Sequence, residues 1–87
     1  MEYMIDGAKM HTRQEAHDEL ARAMEFPEYY GRNLDALWDM LTTTTGTAVL
    51  TGVAGMLNAL GSYGCKLLKT FYVAAEENSR FDFRVAD

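Results

Sequence analysis

Hydrophobic and polar positions along this chain alternate between short apolar runs and helical repeats. Residues 2–6, Glu-Tyr-Met-Ile-Asp, form a short, mostly apolar run closed by Gly7, which reads as a buried strand. Residues 7–11 make a turn. Thr12-Arg13-Gln14-Glu15 then has the spacing of a capping box, in which the Thr12 hydroxyl accepts from the Glu15 N–H and the Glu15 carboxylate reaches back. Ala16, Leu20, Ala23 and Met24 keep helical spacing to about Glu25. Pro27 lacks an N–H and biases Phe26 away from helix, so the helix stops there. After two tyrosines, Gly31 is free to take a positive φ that Arg32 would hold only at a cost. Asn33 is a good N-cap. Leu34, Leu37, Trp38 and Leu41 follow at i, i+3, i+4 and i+7, one face of a second helix from about Leu34 to Thr42, with Leu34, Leu37 and Leu41 in the core.

The four threonines Thr42 to Thr45 are poor helix continuers and predict fraying into a loop. Thr47-Ala48-Val49-Leu50-Thr51 reads as a second strand. Val53, Met56, Leu57 and Leu60 make a short helix closed by Gly61. A longer helix is predicted from around Tyr63 to Glu77, with Leu67, Leu68, Phe71, Tyr72 and Ala75 on its inner face. Asn78-Ser79 is a turn, and Phe81, Phe83 and Val85 alternate with Asp82 and Arg84 as a third strand. Strand, two helices, strand, two helices, strand implies crossover connections, and crossovers join parallel strands. The predicted fold is one small α/β domain over residues 1–87. In it a three-stranded parallel sheet packs with about four helices in two or three layers.

Composition narrows the setting. An 87-residue chain that is 48% hydrophobic suffices for one small core. Cys65 is the only cysteine, so no intramolecular disulfide forms; no signal-peptide pattern opens the chain and no apolar run nears 18 residues. These features predict a soluble cytoplasmic protein, monomeric when free. The net charge of −5 is concentrated: residues 14–40 carry seven acids against Arg22 and Arg32. An acidic half disfavours nucleic acid, whose phosphates repel it, and favours a basic partner.

Catalytic chemistry finds little footing. Asp35 and Asp39 stand four apart on an open helix face, without a pocket to raise either pKa as paired acid catalysis needs. His11 and His17 lack metal-ligand spacing, and His17 reads as a partly buried structural histidine. Cys65 has no placed base and reads as a small hydrophobe. No glycine-rich phosphate loop follows a strand. No enzyme, metal site or cofactor is predicted.

Binding has the stronger case. Tyr29, Tyr30 and Trp38 stand among acids, the usual anatomy of aromatic anchors with charges that fix register. Tyr30 reads as packed, and Trp38 lies between the apolar and polar faces. The stretch Pro27-Glu28-Tyr29-Tyr30-Gly31, then Asn33-Leu34-Asp35-Ala36-Leu37-Trp38-Asp39, then Leu41-Thr42, resembles the signature loop and helix of the barstar-like family of intracellular ribonuclease inhibitors. The resemblance implies a small parallel α/β fold whose helix and preceding loop plug the active site of a basic, secreted bacterial ribonuclease. It implies that Asp39 stands in for the RNA phosphate, Asp35 meets a further basic residue, and Tyr29 lies against the catalytic histidine. Gly31, Asn33, Trp38 and Thr42 complete the implied contact. Three departures follow from the same comparison: Arg32 is cationic where the best-known member is acidic, Thr43 and Thr44 replace a glycine and an aromatic, and Val73 occupies an acidic position. They imply a different preferred nuclease. The alternative is an interaction or immunity module of the same fold, directed at a non-ribonuclease toxin or another basic partner.

Overall fold

The computed structural model describes residues 1–87. The elements run β1 (Glu2–Asp6), a 3-10 turn (Gly7–Lys9), α1 (Arg13–Met24), α2 (Leu34–Leu41), β2 (Gly46–Thr51), α3 (Val53–Leu60), α4 (Ser62–Glu77) and β3 (Phe81–Val85). The strands lie in the order β1-β2-β3 with both pairings parallel, as the crossover argument predicts. Ile5 sits opposite Leu50, and Leu50 opposite Val85. Ile5, Ala48, Leu50, Phe81 and Phe83 turn one sheet face into the core, where they meet Leu20 of α1, Leu37 of α2, and Leu67 and Phe71 of α4.

The opposite face explains why the fold has two layers. It carries Met4, 55% exposed, with Glu2 and Arg84 paired at 2.9 Å from the two outer strands. Parallel sheets are normally covered on both faces, which makes their strands continuously apolar. Here the two outer strands alternate and Val49 of β2 is the one buried residue on that face, so it stays largely polar without a second helical layer. This corrects the expectation for residues 2–6: β1 is an edge strand in which Ile5 alone is buried.

The helices start and stop for local reasons. Thr12 Oγ1 accepts from the Glu15 N–H at 3.1 Å, forming one arm of the capping box. The other arm does not form, because the Glu15 carboxylate lies 3.5 Å from His11 Nδ1 instead. Beyond α2, the Thr42 hydroxyl donates to the Asp39 carbonyl while those of Thr43 and Thr44 donate to Met40. The threonine run therefore ends α2 by capping its free carbonyls. Asn78, just past α4, donates to the carbonyls of Leu41 and Thr44 and ties that end down.

On α4 the buried stripe is Gly64, Leu67, Phe71 and Ala74, rotated from the predicted one. Ala75 is half-buried, and Tyr72 is 47% exposed with its ring edge-on to Phe83. Cys65, one residue off the stripe, is exposed rather than a packed small hydrophobe. On α2, Leu37 and Leu41 are fully buried, whereas Leu34 in the first turn is half-buried.

Leu37 anchors α2 and is the test of this packing. Leu37→Ala should lower unfolding free energy by about 2–5 kcal/mol, as buried leucine truncations do. Urea titration should show the midpoint falling with an unchanged slope.

Candidate functional site

The site begins where α1 ends. Glu25 closes α1 in a left-handed conformation (φ 56°), and the Phe26 N–H donates back to the Ala21 carbonyl at 3.0 Å. Pro27 then starts a tight turn in which the Tyr30 N–H donates to the Pro27 carbonyl, also at 3.0 Å. Tyr30 swings inward and is buried, its ring 4.7 Å from that of Phe26. Its neighbour Tyr29 is left outside, 81% exposed.

Two expectations meet at the next residues, and one fails. Gly31 does not hold the positive φ; Arg32 does, at 52°. That left-handed conformation costs a non-glycine residue roughly 1–2 kcal/mol. Space at Gly31 is tight instead, since a Cβ there would come 3.1 Å from the Ala36 Cβ and push that neighbour by a few tenths of an ångström. Arg32 Nε lies 3.2 Å from Asp18 on α1, which turns that guanidinium toward α1. Asn33 caps α2 as predicted, its side chain accepting from the Ala36 N–H at 2.7 Å.

α2 divides cleanly between core and surface. Leu37 and Leu41 face in; Asp35 and Asp39 are exposed one turn apart, about 6 Å along the axis. Trp38 is half-buried and packs against the core with its edge near the surface, and Thr42 is half-buried at the C-terminus. Of the predicted contact residues, Tyr29, Gly31, Asn33, Asp35 and Asp39 are exposed on one continuous loop and helix, with Trp38 and Thr42 at its edge.

The charge picture is sharper than composition allowed. The ion pairs are Glu19–Arg22, Asp18–Arg32 and Glu2–Arg84, and Glu15 also lies 3.5 Å from His11 Nδ1. Two of them absorb acids of the 14–40 segment, Glu15 sits against His11, and Glu25, Glu28, Asp35 and Asp39 are left exposed and unpaired. Glu19 is buried rather than solvated, accepting from the Arg22 guanidinium and from the Asp6 N–H. The Arg22 hydrogen bond, partly opposed by burial, holds the Glu19 carboxyl below its usual range. Exposed carboxylates without an ion-pair partner suit contact with cations.

His17 supports the site from beneath and is only 1% exposed. Its Nδ1 lies 2.7 Å from the Tyr30 hydroxyl and its Nε2 2.7 Å from the Tyr63 hydroxyl. In the neutral ring one nitrogen donates to one hydroxyl while the other accepts from the second. The sequence pattern offered His17 as structural, but Tyr63, 46 residues away, carried no sign of being its partner. Burial, more than the nearby Arg32 charge, lowers the His17 pKa, with Asp18 opposing.

A family model described as Barstar (barnase inhibitor) matches residues 1–87. A Bacillus subtilis (strain 168) protein named "Putative ribonuclease inhibitor YrdF" is 42% identical over 77 residues, covering 85% of this chain and 85% of its own.

The lowered His17 pKa makes stability pH-dependent. Below the unfolded value of 6.5 the unfolded chain takes up the proton more readily than the native one. Stability is therefore full above that value and falls as the pH drops through it. Urea midpoints measured from pH 7.5 to 5.5 should decline for the parent protein. His17→Gln should lower stability at pH 7.5 yet flatten the decline. Glu19 contributes a separate loss beneath its own unfolded value of 4.5.

Proposed function

The chain belongs to the barstar (barnase inhibitor) family, and from that premise we propose that it inhibits a basic, secreted bacterial ribonuclease by plugging its active site with α2 and the preceding loop. The observation that carries this reading is the pair Asp35 and Asp39, exposed and unpaired on a helix whose opposite face is locked into the core. A ribonuclease site is built to hold an anionic phosphate and so offers preorganised cations. A carboxylate on a rigid helix meets them with little further loss of freedom. In this reading Asp39 takes the place of the RNA phosphate, Asp35 meets a second basic residue, and Tyr29 lies against the catalytic histidine. Gly31, Asn33, Trp38 and Thr42 complete the contact. The protein acts as a cytoplasmic monomer that protects its own cell, and it is an inhibitor rather than an enzyme.

The rim differs from the core of the surface. Val73 is half-buried and uncharged, Glu76 and Glu77 are exposed nearby, and Thr43 and Thr44 spend their hydroxyls on Met40. Such changes leave the phosphate-mimicking centre in place and shift which nuclease is preferred.

The test titrates a guanine-preferring secreted bacterial ribonuclease with the protein at low salt, following RNA cleavage. Stoichiometric loss of activity is expected, weakening as salt screens the charges. Asp39→Ala should raise Kd about 30- to 5,000-fold, the range for truncating one partner of a buried interfacial charge pair. An Asp39→Ala protein that binds as tightly as the parent would show that the phosphate-mimic role is wrong. A parent that inhibits no such nuclease would instead favour an immunity module against a toxin of another kind.

A further inference from the structure

Beside the α2 face lies an open cleft of about 660 Å³ where the first turns of α1, α2 and α4 converge. Its lining includes Arg13, Arg32, Asn33, Asp35 and Tyr63. The two arginines are held there by different means. The Arg13 guanidinium lies over the Tyr63 ring, 4.4 Å from its centroid, and takes part in no ion pair. Tyr63 is itself fixed by its hydrogen bond to His17. Arg32 is placed by its left-handed backbone and by Nε contact with Asp18, which leaves its terminal nitrogens free of any ion pair. Asp35 lines the same cleft and belongs to the exposed face of α2.

In the inhibitor reading, a basic protein seated on Asp35 would border this cleft and bring positive charge toward two guanidiniums, Arg13 without an ion pair and Arg32 met by Asp18 at Nε alone. Like charges juxtaposed at an interface are strongly unfavourable unless an anion sits between them. A carboxylate is the group that relieves the conflict, because each guanidinium presents a planar fork matched to it. We propose that the Arg13–Arg32 cleft is a specificity-determining extension of the α2 surface that accepts an aspartate or glutamate side chain from the rim of the bound nuclease. The proposal rests on the inhibitor reading above. It adds that the preferred nuclease is basic at its centre and acidic at one point of its edge, and that nucleases lacking this acid are disfavoured.

The experiment uses a guanine-preferring secreted bacterial ribonuclease and its variants carrying one aspartate at a time at rim positions outside the catalytic residues. Kd is measured for each against the parent protein, the Arg13→Gln/Arg32→Gln protein and the Arg13→Lys/Arg32→Lys protein. At least one rim aspartate should tighten parent binding by about tenfold. The glutamine pair should erase that gain, and the lysine pair, which keeps charge without the fork, should retain part of it. Against the unaltered basic nuclease the glutamine pair should bind as tightly as the parent or tighter, since two repelling charges are gone. The proposal is overturned if no rim aspartate tightens parent binding, or if the gain survives in the glutamine pair. The inhibitor reading fails by a different sign: the parent leaves nuclease activity intact, or Asp39→Ala is without effect, and this proposal then falls with it.

Discussion

The His17 imidazole holds two hydroxyls from opposite directions, and the presentation of the loop depends on that bridge. Tyr30 brings the loop, His17 brings α1 and Tyr63 brings α4, each hydrogen bond 2.7 Å long. The ring is out of water, and no buried side-chain polar atom in the protein lacks a partner. Losing one partner in such a place leaves the others unsatisfied, a penalty of about 1–3 kcal/mol. The consequence reaches the surface through the turn. With Tyr30 pinned inward, the residue before it is directed outward, which is why Tyr29 stands exposed. The same bridge fixes Tyr63, on which Arg13 rests.

Elements governed by neighbours in sequence were legible before the structure. Asn33 as the cap of α2, Thr12 as the cap of α1, and the leucine repeat of α2 all rest on contacts within a few residues. The parallel sheet joins distant residues, yet it too was legible, from the order of elements, since two-helix connections leave little alternative. Features set by distant residues were not legible. Periodicity alone tolerated Tyr72 and Ala75 inside, but the position of α4 against Phe83 and Leu37 selected Ala74 and left Tyr72 partly in water. Nothing in the sequence set Glu19 apart from the other six acids of its segment, and only the fold brings it the Asp6 N–H. The Gly31–Arg32 pair was misjudged because conformational freedom was weighed without the Ala36 Cβ that crowds a side chain at Gly31. In the candidate site, Asp35, Asp39 and Tyr29 were readable as surface positions, whereas the cleft that Asp35 borders depended on α1 and α4 and was not.

The division of charge follows from these placements. Within one acidic segment, some carboxylates serve the fold and others are left for solvent or a partner. Glu19 and Asp18 are tied to arginines on α1 and the loop, and Glu15 sits against His11. The acids that remain unpaired are spread along the loop and α2. Net charge therefore understates the surface: the compensated acids lie on α1, and the uncompensated ones lie where Tyr29 is exposed. A long-range field that attracts a basic protein thus points toward the loop and α2.

α2 is eight residues long, too short to persist alone in water, so its rigidity is entirely a product of where it sits. Leu37 and Leu41 bury its inner face, Asn33 closes its start, and the threonines with Asn78 close its end. These contacts fix the backbone beneath Asp35 and Asp39 during folding, before any partner arrives. An association that uses those carboxylates then loses only side-chain freedom, and the ordering that usually weakens a charged contact has already been met by the core. Substitutions in that core, far from any partner, should therefore alter binding through helix order as well as through stability. The short helix is useful because it is dependent: the residues that hold it are the same ones that aim its acids.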